Sequence, residues 1–297
     1  MAKDQKTPNT PAVVVGTDGT DTALRAVSWA AAEARVRAAA LRIVHAAPYA
    51  ASRDEACRHR AAAILARAYT VAHQYEPHVA VHTHQTSQQP VPALLHAAEN
   101  ADLLVVGMRG ERLGEVLIGS VALAVSGAAR CPVTVVRGQL GSSLAAGITL
   151  LGLEDVANDA PAVTVAFADA QRHRARLIVL HARADSLRQR IGRDVPAPVE
   201  RVLVHQLAPW RSRYPKVPVD LRVVHGAPAD ELLRAARTAR LVVVGTHGYG
   251  APARMVLGST SRTLVRYSSC PVTVVRWDTV IDEKLPQPAT SPAGCGP

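Results

Sequence analysis

The sequence predicts an α/β fold: two tandem flavodoxin-like (Rossmann-like) domains, each a five-stranded parallel sheet with helices on both faces. Three observations carry that prediction. The first is that the chain repeats itself. CPVTVVRG at 131–138 and CPVTVVRW at 270–277 agree in seven successive positions, and Gly119-Ser120 matches Gly258-Ser259 at the same offset. LLVVG at 103–107 matches LVVVG at 241–245, and Gly16 and His45 match Gly152 and His181, at offsets that drift by only three residues. Anchors kept in one order at a near-constant spacing mark a duplication. The second is that each half alternates short β-branched runs with Ala- and Arg-rich stretches of helical length. Such alternation needs right-handed crossovers, and so a parallel sheet covered on both faces. The third is size: 297 residues, 48% of them apolar and 20% charged, make two ordinary globular domains with a core each.

The elements follow in order. The strands of the first half read as Val13–Thr17, Leu41–His45, Val79–Thr83, Leu103–Gly107 and Val133–Val136. Those of the second read as Ile148–Gly152, Leu177–Leu180, Val219–Val224, Leu241–Gly245 and Val272–Val275. Each is a short apolar run of the kind that a buried parallel strand requires. In the first helix Ala23, Val27, Ala30, Ala31 and Ala34 recur on one face, with Thr20 and Asp21 upstream as N-cap candidates. RGQLGSSLAAG at 137–147 lacks a periodic apolar face and marks the boundary. The domains are therefore expected at 11–137 and 147–276, with flexible tails at 1–10 and 278–297.

Composition narrows the functions. No apolar run approaches the length needed to span a bilayer, and Met1–Pro11 has no secretory h-region, so the expected compartment is the cytoplasm. Cys57, Cys131, Cys270 and Cys295 form no CxxC pair; Cys131 and Cys270 each precede a Pro and a Val-rich strand, which reads as a small buried residue. The net charge of +10 comes from Arg residues scattered along the helices, and aromatics are only 3% of the chain. That leaves little material for base stacking and favours a solvated basic surface over a nucleic-acid interface. His82 and His84 point to one face of the third strand without a third ligand, and His45 and His181 read as packed strand-end residues.

In open α/β sheets the ligand crevice lies at the carboxyl ends of the strands, where strand order reverses. After the fourth strand of the second half comes Gly245-Thr-His-Gly248, then nine residues, then Gly258-Ser259 opening a helix. Glycines let the backbone approach a phosphate, and a helix N-terminus supplies free N–H groups and a positive dipole end. Arg109 and His247 lie inside these loops, open to phosphate contact or to solvent, while Ser120 and Ser259 suit either a phosphate ligand or an N-cap. No GxSxG, HExxH or Walker pattern occurs, so these motifs offer no catalytic constellation.

This Gly-x2-Gly-x9-Gly-Ser spacing, the opening VVVGTDGT at 13–20 and the closing CPVTVV strand resemble the universal stress protein family, over nearly the whole chain. The resemblance implies that ATP, with or without Mg2+, or another adenine nucleotide such as AMP, is the ligand. It places Asp18 and Ala46 at the adenosine moiety and Gly107, Gly110, Gly119 and Ser120 around ribose and phosphates. The second-half counterparts are Glu154, Ala182, Gly245, Gly248, Gly258 and Ser259. It also implies a pseudo-symmetric pair of halves and a homodimer.

Both copies depart from the pattern. In the first, eight residues separate Gly110 from Gly119, one short of nine, with Gly114 within the gap and Glu111 and Glu115 adding negative charge. In the second, VGTDG becomes LGLEDV, so Glu154 replaces the Asp, with Asp155 beside it. One functional half is thus expected more than two. The leading function is a cytoplasmic stress-response protein that binds ATP in at least one half. The alternatives are a nucleotide-free interaction or assembly module and, further off, an adenine-nucleotide-using enzyme.

Overall fold

A computed structural model describes residues 12–51, 55–108, 120–137, 147–183, 197–246, 257–279 and 281. The chain divides into two compact units, residues 1–136 and 137–297. The first holds β1 (Ala12–Gly16), α1 (Asp21–Arg37), β2 (Ala40–Ala46), α2 (Glu55–Tyr75), β3 (Val81–Thr86), α3 (Pro90–Ala97), β4 (Leu103–Met108), α4 (Ser120–Ala128) and β5 (Val133–Arg137), the last strand running one residue past the division. The second holds β6 (Ile148–Gly152), α5 (Ala160–His173), β7 (Arg176–Arg183), α6 (Ala197–Arg213), β8 (Val219–His225), α7 (Pro228–Ala236), β9 (Leu241–Gly245), α8 (Ser259–Tyr267) and β10 (Val272–Val275).

The strands are ordered β3-β2-β1-β4-β5 in the first half and β8-β7-β6-β9-β10 in the second. The pairing is parallel: Val13 lies opposite Leu41 on one side and Leu103 on the other, and Thr149 opposite Leu177 and Leu241. The predicted doubly wound sheet is therefore present twice. In each half the order reverses between the first and fourth strands, which opens a crevice at their carboxyl ends.

Position in the sheet explains composition. Val13, Val14 and Val15 of the central β1 are fully buried, as helices on both faces demand. The edge strand β3 is exposed from His82 to Gln85, which accounts for its HTHQ sequence and puts both of its histidines at the surface. That strand begins at Val81, not Val79. Val79 is buried in the preceding turn, its N–H bonded to the Glu76 carbonyl, so its apolar character serves the turn and not the ladder.

Helix α1 buries the predicted Ala23, Val27, Ala30, Ala31 and Ala34 stripe. Thr20 is its N-cap, accepting from the Ala23 N–H at 3.3 Å, and Asp21 is the first helical residue. It ends on Ala38 in the left-handed region at φ 51°, and α5 ends the same way on Arg174 at φ 51°. Cys131 and Cys270 are buried as expected, and burial pushes their thiols up to about 12 and about 11. Neither is a thiolate near neutral pH. The packed chain also continues past the expected boundary at 278: the Asp278 carboxylate accepts from Arg276 at 2.7 Å and Thr279 is buried. The expected 1–10 tail, the rest of the C-terminal one and Cys295 lie outside the described residues.

Candidate functional site

Four residues, Thr17 to Thr20, carry the chain from β1 to α1 across the carboxyl edge of the first sheet. Thr17 extends the ladder by donating its N–H to the Val44 carbonyl at 2.9 Å. Its hydroxyl oxygen accepts from the Gly19 N–H at 3.2 Å. Asp18 folds the next turn by accepting from the Thr20 N–H at 3.0 Å and the Thr20 hydroxyl at 2.6 Å, both on Oδ1. The Thr20 hydroxyl thus donates to Asp18 while accepting from α1, which uses its one proton and a lone pair. Gly19 is required twice over: its φ is +82°, and a Cβ there would stand 2.8 Å from Ile64 Cγ1 of α2. Asp18 itself remains exposed.

Beside this turn lies a solvent-open cavity of about 230 Å3. Thr17, Asp18, Thr20 and Thr22 give it polar atoms, while Val44, Leu94 and Val106 give it apolar walls. It sits between the ends of β1, β2 and β4, at the reversal of strand order. Gly107 makes that approach of elements feasible: a Cβ at this position would meet the Thr22 carbonyl oxygen of α1 at 2.8 Å, and backbone cannot swing aside. Of the residues singled out in the first half, the cavity brings together Asp18, Ala46 and Gly107. Ser120 is the exposed first residue of α4, next to Val121, which does line the cavity. Gly110 and Gly119, with Arg109, Glu111, Gly114 and Glu115, lie outside the described residues. Sequence reasoning missed the apolar wall, because Val44, Leu94 and Val106 look like any other core residue until the strand order is known.

The second half builds the same corner differently. Between β6 and α5 the connection is longer, Leu153 to Asp159, and it folds back on itself. The Asp159 carboxylate Oδ2 accepts from the Glu154 N–H at 3.1 Å and the Asp155 N–H at 3.3 Å. Asp155 folds the next turn as Asp18 does in the first half, its Oδ1 accepting from the Ala157 N–H at 2.7 Å. Asp159 is buried, and that burial, outweighing its two amide bonds, pushes its carboxyl up to about 6. Glu154 is exposed, and Ala182 lies in β7 one residue beyond His181.

At the other side of this corner the polar atoms are also engaged. The Gly258 N–H donates to the Thr246 carbonyl at 2.7 Å, and the Ser261 hydroxyl donates to the Gly245 carbonyl at 2.6 Å. Gly258, not Ser259, is the N-cap of α8, and Ser259 is its exposed first residue. Gly248 and His247 lie outside the described residues.

Comparison with known proteins places these two corners in context. The chain matches the Universal stress protein family over residues 10–137 and again over 149–276. It is 33% identical over 294 residues to a universal stress protein of Mycolicibacterium smegmatis, covering 89% of this chain and 96% of that one. Among solved structures, a universal stress protein from Archaeoglobus fulgidus shares the fold with a TM-score of 0.69 at 17% identity, covering 90% of this chain and 98% of that one. Another structure from that organism, of a universal stress protein in complex with dAMP, is 27% identical, covers 42% of this chain and 94% of its own, and has a TM-score of 0.34.

Proposed function

Since the chain belongs to the universal stress protein family, matching it twice in succession, we propose that it binds an adenine nucleotide, ATP first, in its first half. Occupancy of that site is the signal the protein contributes to a stress response. The observation that carries this reading is the cavity at the β1/β4 reversal. Its apolar walls, Val44, Leu94 and Val106, suit the face of a purine, and Asp18 and the threonines supply acceptors and donors for a base edge and a sugar. The phosphates would extend toward Ser120 at the start of α4, where a helix N-terminus favours negative charge.

The second half is the scaffold of the pair in this reading. Its turn amides are held by Asp159, and a carboxylate seated there repels a further anion. The same contacts support the alternative function, a nucleotide-free interaction module, for that half. The proposed domains are 11–137 and 147–276. Among the described residues no helix is long and apolar enough to cross a membrane, and the cytoplasm is the compartment that supplies the nucleotide. A homodimer of pseudo-symmetric halves completes the proposal, read by sedimentation.

The test is to denature the freshly purified chain, identify any released nucleotide, and follow thermal unfolding with ATP or AMP, each with and without Mg2+. Released adenine nucleotide, or a rise in Tm with added ATP, is the expected result. Neither signal with either nucleotide would overturn the reading and leave the interaction module in its place.

A further inference from the structure

His45 touches the proposed site without lining it. The cavity is lined by Val44 and Ala46, its neighbours on β2, and by Thr17 and Asp18, whereas His45 is itself 3% exposed and faces away into the protein. Its Nδ1 stands 2.8 Å from the Thr17 carbonyl oxygen, and a carbonyl only accepts, so Nδ1 carries the proton. In the neutral ring Nε2 is then an acceptor, and at 2.8 Å it takes the Tyr49 hydroxyl proton. Tyr49 belongs to the short 3-10 turn Pro48–Ala51 and is in turn covered by the Arg60 guanidinium, 5.7 Å from its ring centre. The imidazole is thus pinned at both ends in a single tautomer.

The carbonyl it grips belongs to the peptide that joins Thr17 to Asp18. Fixing that peptide plane fixes the direction in which Asp18 leaves the strand, and therefore where its carboxylate meets a ligand. From this geometry we infer that His45 is a positioning residue for nucleotide binding in the first half: it sets Asp18 through the Thr17 carbonyl and is itself set by Tyr49. The inference rests on the nucleotide reading given above.

The duplication supplies an internal control. His181 makes the same bond in the second half, Nδ1 to the Leu153 carbonyl at 3.0 Å, ahead of the turn that Asp159 closes. Removing either imidazole strands one strand-end carbonyl, so both losses cost stability, but only one of them disturbs Asp18.

The experiment is calorimetric titration of the full chain with ATP, alongside thermal unfolding, for wild type, His45→Ala, His45→Asn, Tyr49→Phe and His181→Ala. His45→Ala is expected to weaken ATP by about tenfold, the worth of one such hydrogen bond. His45→Asn, which keeps a donor near Nδ1, should recover part of that loss, and Tyr49→Phe should cost less than His45→Ala. His181→Ala should lower Tm without moving the ATP Kd. If His45→Ala fails to fold, the comparison of His45→Asn and Tyr49→Phe with wild type decides. Wild-type ATP affinity in the folded His45 variants would overturn the inference while leaving the nucleotide reading intact, as would equal weakening by His181→Ala. Absence of ATP binding in the wild type removes both.

Discussion

The turn between β1 and α1 and the turn between β6 and α5 start from equivalent strand ends and reach opposite outcomes. In the first, four residues suffice, the only buried side chain among them is Thr17, and the acidic group faces solvent beside a cavity. In the second, the connection is longer and carries its own anion inward, where Asp159 satisfies the two amides that open the turn. The sheets beneath are alike in order and register. What a crevice offers to a ligand is therefore decided by the few residues that satisfy backbone N–H groups above the strands, not by the scaffold.

The comparison breaks most sharply at the second half's buried ion pair. Asp169 of α5 accepts from Arg240 at 2.7 and 3.2 Å and from the Thr149 hydroxyl at 2.6 Å, with both charged groups buried. Asp169→Ala removes the carboxylate that meets both Arg240 and Thr149 and should cost about 3 kcal/mol, read as an early urea transition. ATP affinity should be unchanged in the protein that remains folded. The double replacement Asp169→Leu with Arg240→Met should cost less than the single one.

Gly107→Val attacks the first half instead. Its Cβ meets the Thr22 carbonyl, so the loss is about 1–3 kcal/mol and the rise of Tm with ATP should vanish. The equivalent pair of acidic residues then separates the halves directly. Asp18→Ala should weaken ATP about tenfold, near 1.4 kcal/mol, and Glu154→Ala should leave it unchanged in calorimetry.

Asp159 gives the halves different responses to pH. Its folded carboxyl lies at about 6, above its ordinary value, because burial disfavours the charge. It therefore binds a proton more readily folded than unfolded. The stability it lends is fully present below about pH 4 and is lost as pH rises through 6, on the order of 3 kcal/mol. Asp159→Asn keeps an acceptor for the two amides and should flatten that slope in urea titrations between pH 4 and 7. The smallest expected effect is one on which the halves should agree: Ala38→Gly and Arg174→Gly each relieve a left-handed helix end and should each gain up to about 1 kcal/mol.

Much of this was legible in the sequence. The repeat, the ten strands and the apolar stripe of α1 follow from periodicity, which depends on local side-chain pattern alone. The rule for carboxyl ends of parallel strands pointed to the loops after the first and fourth strands, and the family resemblance singled out Asp18, Ala46 and Gly107, which the cavity brings together. What stayed hidden depends on contacts distant in the chain. Leu94 and Val106 become cavity walls only when β4 lies beside β1. Asp159 was not singled out in the sequence: it stands at the N-cap position of α5, yet its carboxylate serves the amides of Glu154 and Asp155 and makes no capping bond to its own helix. His45 read as packed, which it is, but its grip on Thr17 needed the parallel register of β1 and β2.

The central claim is that one half binds and the other does not. Its most direct measurement is the number of ATP sites per full-length chain by calorimetry, in wild type, Asp18→Ala and Glu154→Ala. The account predicts one site, weakened by Asp18→Ala and untouched by Glu154→Ala. Two sites per chain, or a single site that Glu154→Ala weakens and Asp18→Ala leaves intact, would contradict it.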